Sequence, residues 1–297
     1  MSLLSSTQGT PERVWSLIAA VLAGGGTIDR AEAVSWLNPG FMKDNSEYRE
    51  KPEAFNQTLG AATSLGAVEA EKGALRVGST FHADGYLDFA DWTHDRLVAL
   101  SNDEKDAVLL ETYAWVAVES DRQGSIGWVQ DWTREAFADA ADKARPDGAD
   151  DEGQRRINTT KLPAWRGWLL FLGLFVPMPA PMQPHPSAEA RAARDLGRSS
   201  LPRNQEIPAD AFLKALAARL PYLDGGRMFV EAAQRIGHAP APGRLSPLMS
   251  ATLRGLHDEG FIELGLRGDA GSVVQLTESA THKVQSFYAV VVRGGET

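Results

Sequence analysis

Residues 243–276, GRLSPLMSATLRGLHDEGFIELGLRGDAGSVVQL, constrain the fold more than any other stretch of the chain. Ser246 carries a hydroxyl suited to accept from the free amides of a first helical turn, and Pro247 follows where a missing N–H costs nothing. Leu248, Met249, Leu253 and Leu256 recur at helical spacing and predict a helix with one apolar face. Gly260 stops it, because glycine enters the left-handed C-cap conformation without steric cost. Phe261, Ile262, Leu264 and Leu266 then predict a strand, and Val273, Val274 and Leu276 a second one. Between them Arg267, Gly268, Asp269, Ala270 and Gly271 make a turn-rich tip. Helix, glycine and hairpin in that order match the wing end of a winged helix-turn-helix, for which nucleic-acid binding is the first reading.

The order recurs. Thr10 and Pro11 open a helix whose Val14, Leu17, Ile18, Val21 and Leu22 face a core, and glycines 24–26 end it. A second helix over residues 29–37 buries Ala33, Val34 and Leu37. Pro52 opens a third, lined by Phe55, Leu59, Ala62 and Leu65 and capped by Gly66, and residues 68–71 and 75–77 form a hairpin around Lys72 and Gly73. A middle copy is expected from helices at 105–117, 132–144 and 162–172, with Gly173 ending the last and Phe175 starting a strand. Residues 177–208 hold seven prolines and predict a linker, whose later part suits a short basic helix through Arg191 and Arg194. Asp210 caps a further helix to Leu220, residues 227–236 form the next, and residues 277–288 the last. The expected fold class is mainly α with small β-hairpins (α+β), in tandem winged helix-turn-helix units. Its divisions are unit 1 at 1–90, an acidic unit 2 at 91–178, a basic proline-rich linker at 179–208 and unit 3 at 209–297.

Composition narrows the function classes. The chain has 297 residues, no cysteine and a net charge of −9, which excludes disulfides and thiolate sites and argues against a nonspecific coat on DNA. The N-terminus has no basic region or long apolar run, and the longest apolar run, residues 168–178, is far below the roughly 20 residues of a membrane span. A cytoplasmic location is the expectation. Charge is unevenly spread: residues 81–152 carry 6 basic and 18 acidic groups, and residues 153–204 carry 8 and 2.

Catalytic residues, metal and cofactor are all expected to be none. The six histidines show no close pair at ligand spacing, and phosphate-loop, nucleophile-elbow and zincin motifs do not occur. His82, Asp84, Asp88, Asp91, His94 and Asp95 form the densest polar cluster, which a solvated acidic segment explains as well as a hard-metal site does. Arg155, Arg156, Lys161 and Arg166 surround Trp165 and Trp168, an interleaving that suits phosphate neutralisation and base stacking. A helix with snorkelling arginines, partnered by the acidic block, fits the same residues. In the C-terminal unit Arg244, Ser246, Ser250 and Arg254 are expected on the exposed face of the third helix, with Arg267 on the wing. The third helix of the first unit offers Asn56 and Gln57 among glutamates, which favours protein contacts there.

From Leu220 onward, LPYLDGG…LSPLMSATLRGLHDEGFIEL resembles the DpdG type of accessory protein from anti-phage defence islands. That resemblance implies work beside other protein subunits, such as an ATPase or helicase, without an active site of its own. The chain also resembles tandem winged-helix subunits of SMC-kleisin complexes, and departs from them in its third unit and long linker. The reading is a non-enzymatic, DNA-engaging adaptor of a multiprotein bacterial system in anti-phage defence. The alternatives are a purely protein-binding scaffold of an SMC-kleisin-like complex and a homodimeric transcriptional regulator.

Overall fold

The computed structural model describes residues 2–5, 7–38, 41–42, 48–49, 52–145, 155–265 and 273–293. In chain order these form α1 (Pro11–Ala23), β1 (Thr27–Asp29), α2 (Arg30–Leu37), β2 (Phe41–Met42), β3 (Tyr48–Arg49), α3 (Glu53–Leu65), β4 (Val68–Glu71), β5 (Ala74–Val77) and α4 (Tyr86–Val98). Then follow α5 (Val108–Gln123), α6 (Trp128–Asp131), α7 (Arg134–Lys143), α8 (Leu162–Leu172), β6 (Phe175–Val176), β7 (His185–Pro186), α9 (Glu189–Gly197) and β8 (Glu206–Pro208). The chain ends with α10 (Ala209–Arg219), α11 (Arg227–Arg235), α12 (Pro247–Asp258), β9 (Ile262–Gly265), β10 (Val274–Gln275), β11 (Ser286–Phe287) and β12 (Ala289–Val292). The architecture is α+β: about half the chain is helical, with small antiparallel sheets.

Two compact units divide the chain: Met1–Asp106 with Arg156–Leu172, and Ala107–Arg155 with Gly173–Thr297. The chain leaves the first at Asp106 and re-enters it at Arg156, so neither unit is one consecutive segment.

In the first unit Thr10 caps α1 through Arg13 N, and Asp29 caps α2 through Ala31 N and Glu32 N, which satisfies amides a helix start leaves free. Gly66, at φ 76°, closes α3 in the left-handed conformation expected of it. The 68–71 and 74–77 strands pair as predicted, and β1, unforeseen from its three residues, adds to them in the order β1-β5-β4. Val14, Leu17, Ile18 and Val21 of α1 and Ala62 and Leu65 of α3 are buried. Beside them Phe89 stacks with Trp15 and meets Phe81 and Phe171, an aromatic cluster shared by α1, α4 and α8. Trp168 closes on Phe171 edge to face.

The second unit is built around α5, which is buried continuously from Val108 to Asp121. Such a helix packs on every side, here against α11 and α12, and not through one apolar stripe. Trp115, Trp128 and Phe137 form a second aromatic cluster, and Tyr113 meets Phe175 and Tyr222. The segment read as a linker is partly regular structure. It holds β7, which pairs with β6, then α9, and then β8, which joins a sheet of order β8-β12-β9.

One strand pairing and one helix expectation are corrected. The strand at 262–265 does not pair with the one at 274–275: β9 pairs with β12 and β10 with β11. Residues 277–288, expected as the last helix, form turns followed by β11 and the first link to β12. Ser279, Thr281 and His282 bond their own neighbourhood, and Gln285 Nε2 donates to the carbonyls of Ser279 and His282, so local side-chain bonds replace the helical ladder. Val290, Val291 and Val292 then favour a strand. The expected tip, including Arg267, lies outside the described residues.

Candidate functional site

Helix α12 is the element on which the nucleic-acid expectation rested, and its N-terminus is closed by a buried polar network. Ser246 caps it as predicted, its Oγ accepting from Met249 N at 3.2 Å. The same residue is held from behind: its backbone N donates to Asp224 Oδ1 and its hydroxyl to Asp224 Oδ2, both at 2.6 Å. Asp224 stands in the Asp-Gly-Gly turn before α11. A Cβ at Gly226 there would come within 2.4 Å of the Pro221 carbonyl oxygen, so the turn has no space for a side chain. Next to it, at the end of α5, buried Asp121 meets His238 Nε2 at 2.7 Å, and exposed Arg244 lies 4.0 Å from its other oxygen.

Burial pushes the Asp224 carboxyl up to about 6; the bonds from Ser246 pull it down and the neighbouring Asp121 charge pushes it further up. A carboxyl raised in the folded state takes its proton there before it does in the unfolded chain. Its contribution therefore stabilises as pH falls from about 6 towards 4 and is lost as pH rises through 6. The expected result is that Asp224→Asn flattens this part of the stability profile, by at most about 3 kcal/mol between the two limits. Urea midpoints at about pH 4.5 and 7.5 measure it. Identical slopes in both proteins would show that the carboxyl is not strained.

The face of α12 expected to be exposed is buried, and this corrects the sequence reading. Ser246, Ser250 and Arg254 are each at most 9% exposed. Ser250 Oγ accepts from Thr277 N at 2.9 Å. Arg254 donates through Nε and Nη2 to the Val284 carbonyl at 3.0 and 2.9 Å, and also reaches Gln285 Oε1. Burial lowers its pKa, with Asp258 opposing. The physical reason is that α12 is enclosed by α5, α9 and β9, so polar positions between its leucines also meet protein. A Cβ at Gly255 would run into the Glu189 carboxylate of α9. Among the described residues of this set only Arg244 reaches solvent, about half exposed.

The second set of expected contacts is dispersed. Arg155, in the second unit, is exposed and pairs with Asp139 at 2.6 Å and Asp142 at 3.1 Å. The acidic block is thus an intramolecular partner of the basic segment, the alternative the sequence left open. Arg156, Lys161 and Arg166 belong to the first unit. Arg156 donates to the carbonyls of Asn102 and Asp103, Lys161 is half-buried before α8, and Arg166 is buried. Trp165 and Trp168 are core residues, which removes the expected stacking platform. On α4, Asp88 and Asp95 face solvent whereas His94 is buried, so the polar cluster does not share one side of the helix.

One ionic site escaped the sequence reading. On α9, Arg191 Nε donates to Asp195 Oδ2 at 2.8 Å, both side chains at most 1% exposed, and Arg219 reaches the other oxygen at 2.7 Å. The signal was an Arg and an Asp four residues apart, which face each other on a helix.

Together these features define a mainly helical, modular protein with two small three-stranded sheets and a charged network inside its C-terminal unit. The sequence profile of the DpdG-like family matches residues 1–270, and the chain belongs to that family. The family fits an accessory protein associated with phage defence and working with protein partners. No curated protein and no solved structure matches the chain, and the SMC-kleisin resemblance gains no support. Among the described residues, no helix is long and apolar enough to cross a membrane.

Proposed function

We propose that this chain is a non-catalytic adaptor of a phage-defence system that holds protein partners through winged-helix modules, and that α12 serves it as a core helix and not as a DNA reader. The modules are suggested by strand order: in each unit the first strand of the sheet, which precedes at least two helices, pairs with its last strand, as β1-β5-β4 and β8-β12-β9. A third copy has less support, since among the described residues β6 pairs only with β7. The observation that carries the reading is the enclosure of α12, whose Ser246, Ser250 and Arg254 have internal partners. A DNA reader needs those positions at base edges.

DNA engagement is the second reading, favoured by the exposed cations Arg155 and Arg244 and by Asn56 on the outer side of α3. Fluorescence anisotropy with a 30-base-pair duplex at about 50 mM salt separates the two. The adaptor reading expects no saturable binding, with co-purification of a subunit encoded beside the chain. Saturable binding whose salt slope falls by about 2–3 on Arg155→Ala, Arg156→Ala and Lys161→Ala together would establish the second reading instead.

A further inference from the structure

The hairpin of β6 and β7 carries at its tip the segment Val176–Met182, VPMPAPM, seven consecutive apolar residues. Six of them are exposed, Val176 by 37% and Met182 by 47%, and Met178 is half-buried. No Asp, Glu, Lys or Arg occurs between Arg166 and Glu189, and burial lowers the pKa of His185, so the hairpin is uncharged at neutral pH. Soluble chains scatter exposed apolar residues singly and gather them where something binds. The base of the tip is fixed. Phe175 and Val176 pair with Pro186 and His185, and Phe175 is buried against Tyr113. Gln130 holds the backbone of Gln183 through both amide atoms, Nε2 donating to its carbonyl at 2.9 Å and Oε1 accepting from its N–H at 3.2 Å. Met182 N donates to the Pro179 carbonyl at 3.0 Å and closes the turn. Pro177, Pro179 and Pro181 lack an N–H, so between Val176 and Met182 only Met178 and Ala180 bring an amide donor that burial would desolvate. The same rings fix φ, which leaves little backbone freedom to lose on contact.

We infer that this tip is a docking element that enters an uncharged groove, lined by apolar and aromatic side chains, on another protein of the same system; the inference rests on the adaptor reading. Size argues against a second copy of the chain as the occupant: a stable dimer takes about 20–30 residues a side, and the tip offers seven. A short, pinned apolar tip gains its contact area by entering a concave site instead. Aromatic walls suit its prolines, as they do other proline-rich segments. The absence of charge sets the remaining property. A charged wall would be desolvated with no opposite charge before it, so acidic and basic surfaces, nucleic acid among them, are disfavoured.

The test uses the full chain, with the purified proteins encoded on either side of it as probes. Biolayer interferometry reads binding, and light scattering reads the mass of the chain alone. One of the neighbouring proteins is expected to bind. Met182→Asp weakens that binding at least about tenfold, and Met182→Leu keeps it within about twofold of the wild type. Met182 is nearly half exposed, so the new carboxylate meets water in the free chain, and circular dichroism and melting temperature stay at wild-type values. Val230→Asp, at a similarly exposed apolar position on α11, leaves the affinity unchanged. Binding that survives in folded Met182→Asp, or that falls as far in Val230→Asp, overturns the inference and leaves the adaptor reading standing. A dimer of the chain alone that Met182→Asp dissociates makes a second copy the occupant and also overturns it. Absence of binding by either neighbour removes both readings.

Discussion

Asp195→Ala is expected to destabilise the second unit by about 3–5 kcal/mol, because it leaves the Arg191 guanidinium buried without its carboxylate. Arg191 is fully buried and donates to Asp195 Oδ2 at 2.8 Å, while Arg219 reaches Asp195 Oδ1 through Nη2 at 2.7 Å and Nε at 3.2 Å. Arg219 is about one-third exposed and turns to water when its partner is lost; Arg191 cannot. At roughly 2–4 °C per kcal/mol for a unit of this size, the corresponding thermal transition falls by about 10 °C. Differential scanning calorimetry of the full chain reads this directly. Replacing both partners, Arg191→Met with Asp195→Leu, is expected to recover most of the loss, since two desolvated charges disappear together. A loss below about 1 kcal/mol for the single variant would mean that Arg191 reaches solvent by rearrangement and that the pair does not anchor α9.

Gly78→Ala is expected to disrupt the sheet of the first unit by at least about 3 kcal/mol. Gly78 follows β5, its N–H donates to the Ala67 carbonyl at 2.9 Å, and a Cβ at that position would sit 1.9 Å from the Gly66 carbonyl oxygen. The obstruction is backbone and not the movable end of a side chain, so relief requires the β4–β5 hairpin to separate from the end of α3. Ordinary overpacking costs about 1–3 kcal/mol with side-chain relaxation, and this case lacks that escape. Hydrogen exchange should accelerate at Glu69, Leu75 and Arg76, whose amides lie in the hairpin. Gly167→Ala is the control: with nothing within 4 Å and helical backbone, it should stabilise by about 0.5–1 kcal/mol. Equal behaviour of the two variants would contradict the close approach at Gly78.

Local order along the chain was readable wherever one residue type has one physical use. Thr10 and Ser246 cap helices through their own oxygens as read, and Gly66 and Gly260 occupy left-handed backbone, whereas Asp29, read as helical, is a cap and Asp210, read as a cap, lies inside α10. The hairpin at 68–77 has the same basis, a turn at Lys72 and Gly73 between short apolar stretches. Strand partnership was a different matter. Val274 and Ile262 both read as strand residues, yet they pair with Phe287 and Val292, because a strand's hydrogen-bonding edge carries no label of its partner. The polar residues of α12 failed for a related reason. Spacing separates leucines from Ser250 and Arg254 but cannot register that a second and a third element will cover the polar side.

The candidate site followed the same division. Ser246 was legible as a cap, but Asp224, Asp121 and His238 come from three other segments, 22, 125 and 8 residues away in the chain. The fate of Arg155 was half legible, since the acidic block was evident in the composition and its pairing with Asp139 and Asp142 was one of two readings left open. The sequence by itself determined the caps that open α1 and α12, the glycine that closes α3 and the absence of thiol chemistry, whereas it missed α4 and placed a helix at 277–288 where there is none. The caps and the glycine stop follow from φ/ψ preferences and donor counts within a few residues. Only the tertiary structure decided which helix is enclosed, which carboxylates meet, and which cations remain in water. Those outcomes depend on desolvation by residues distant in the chain. Helix α12 therefore resembles a DNA reader along its length and is, in its surroundings, part of a core.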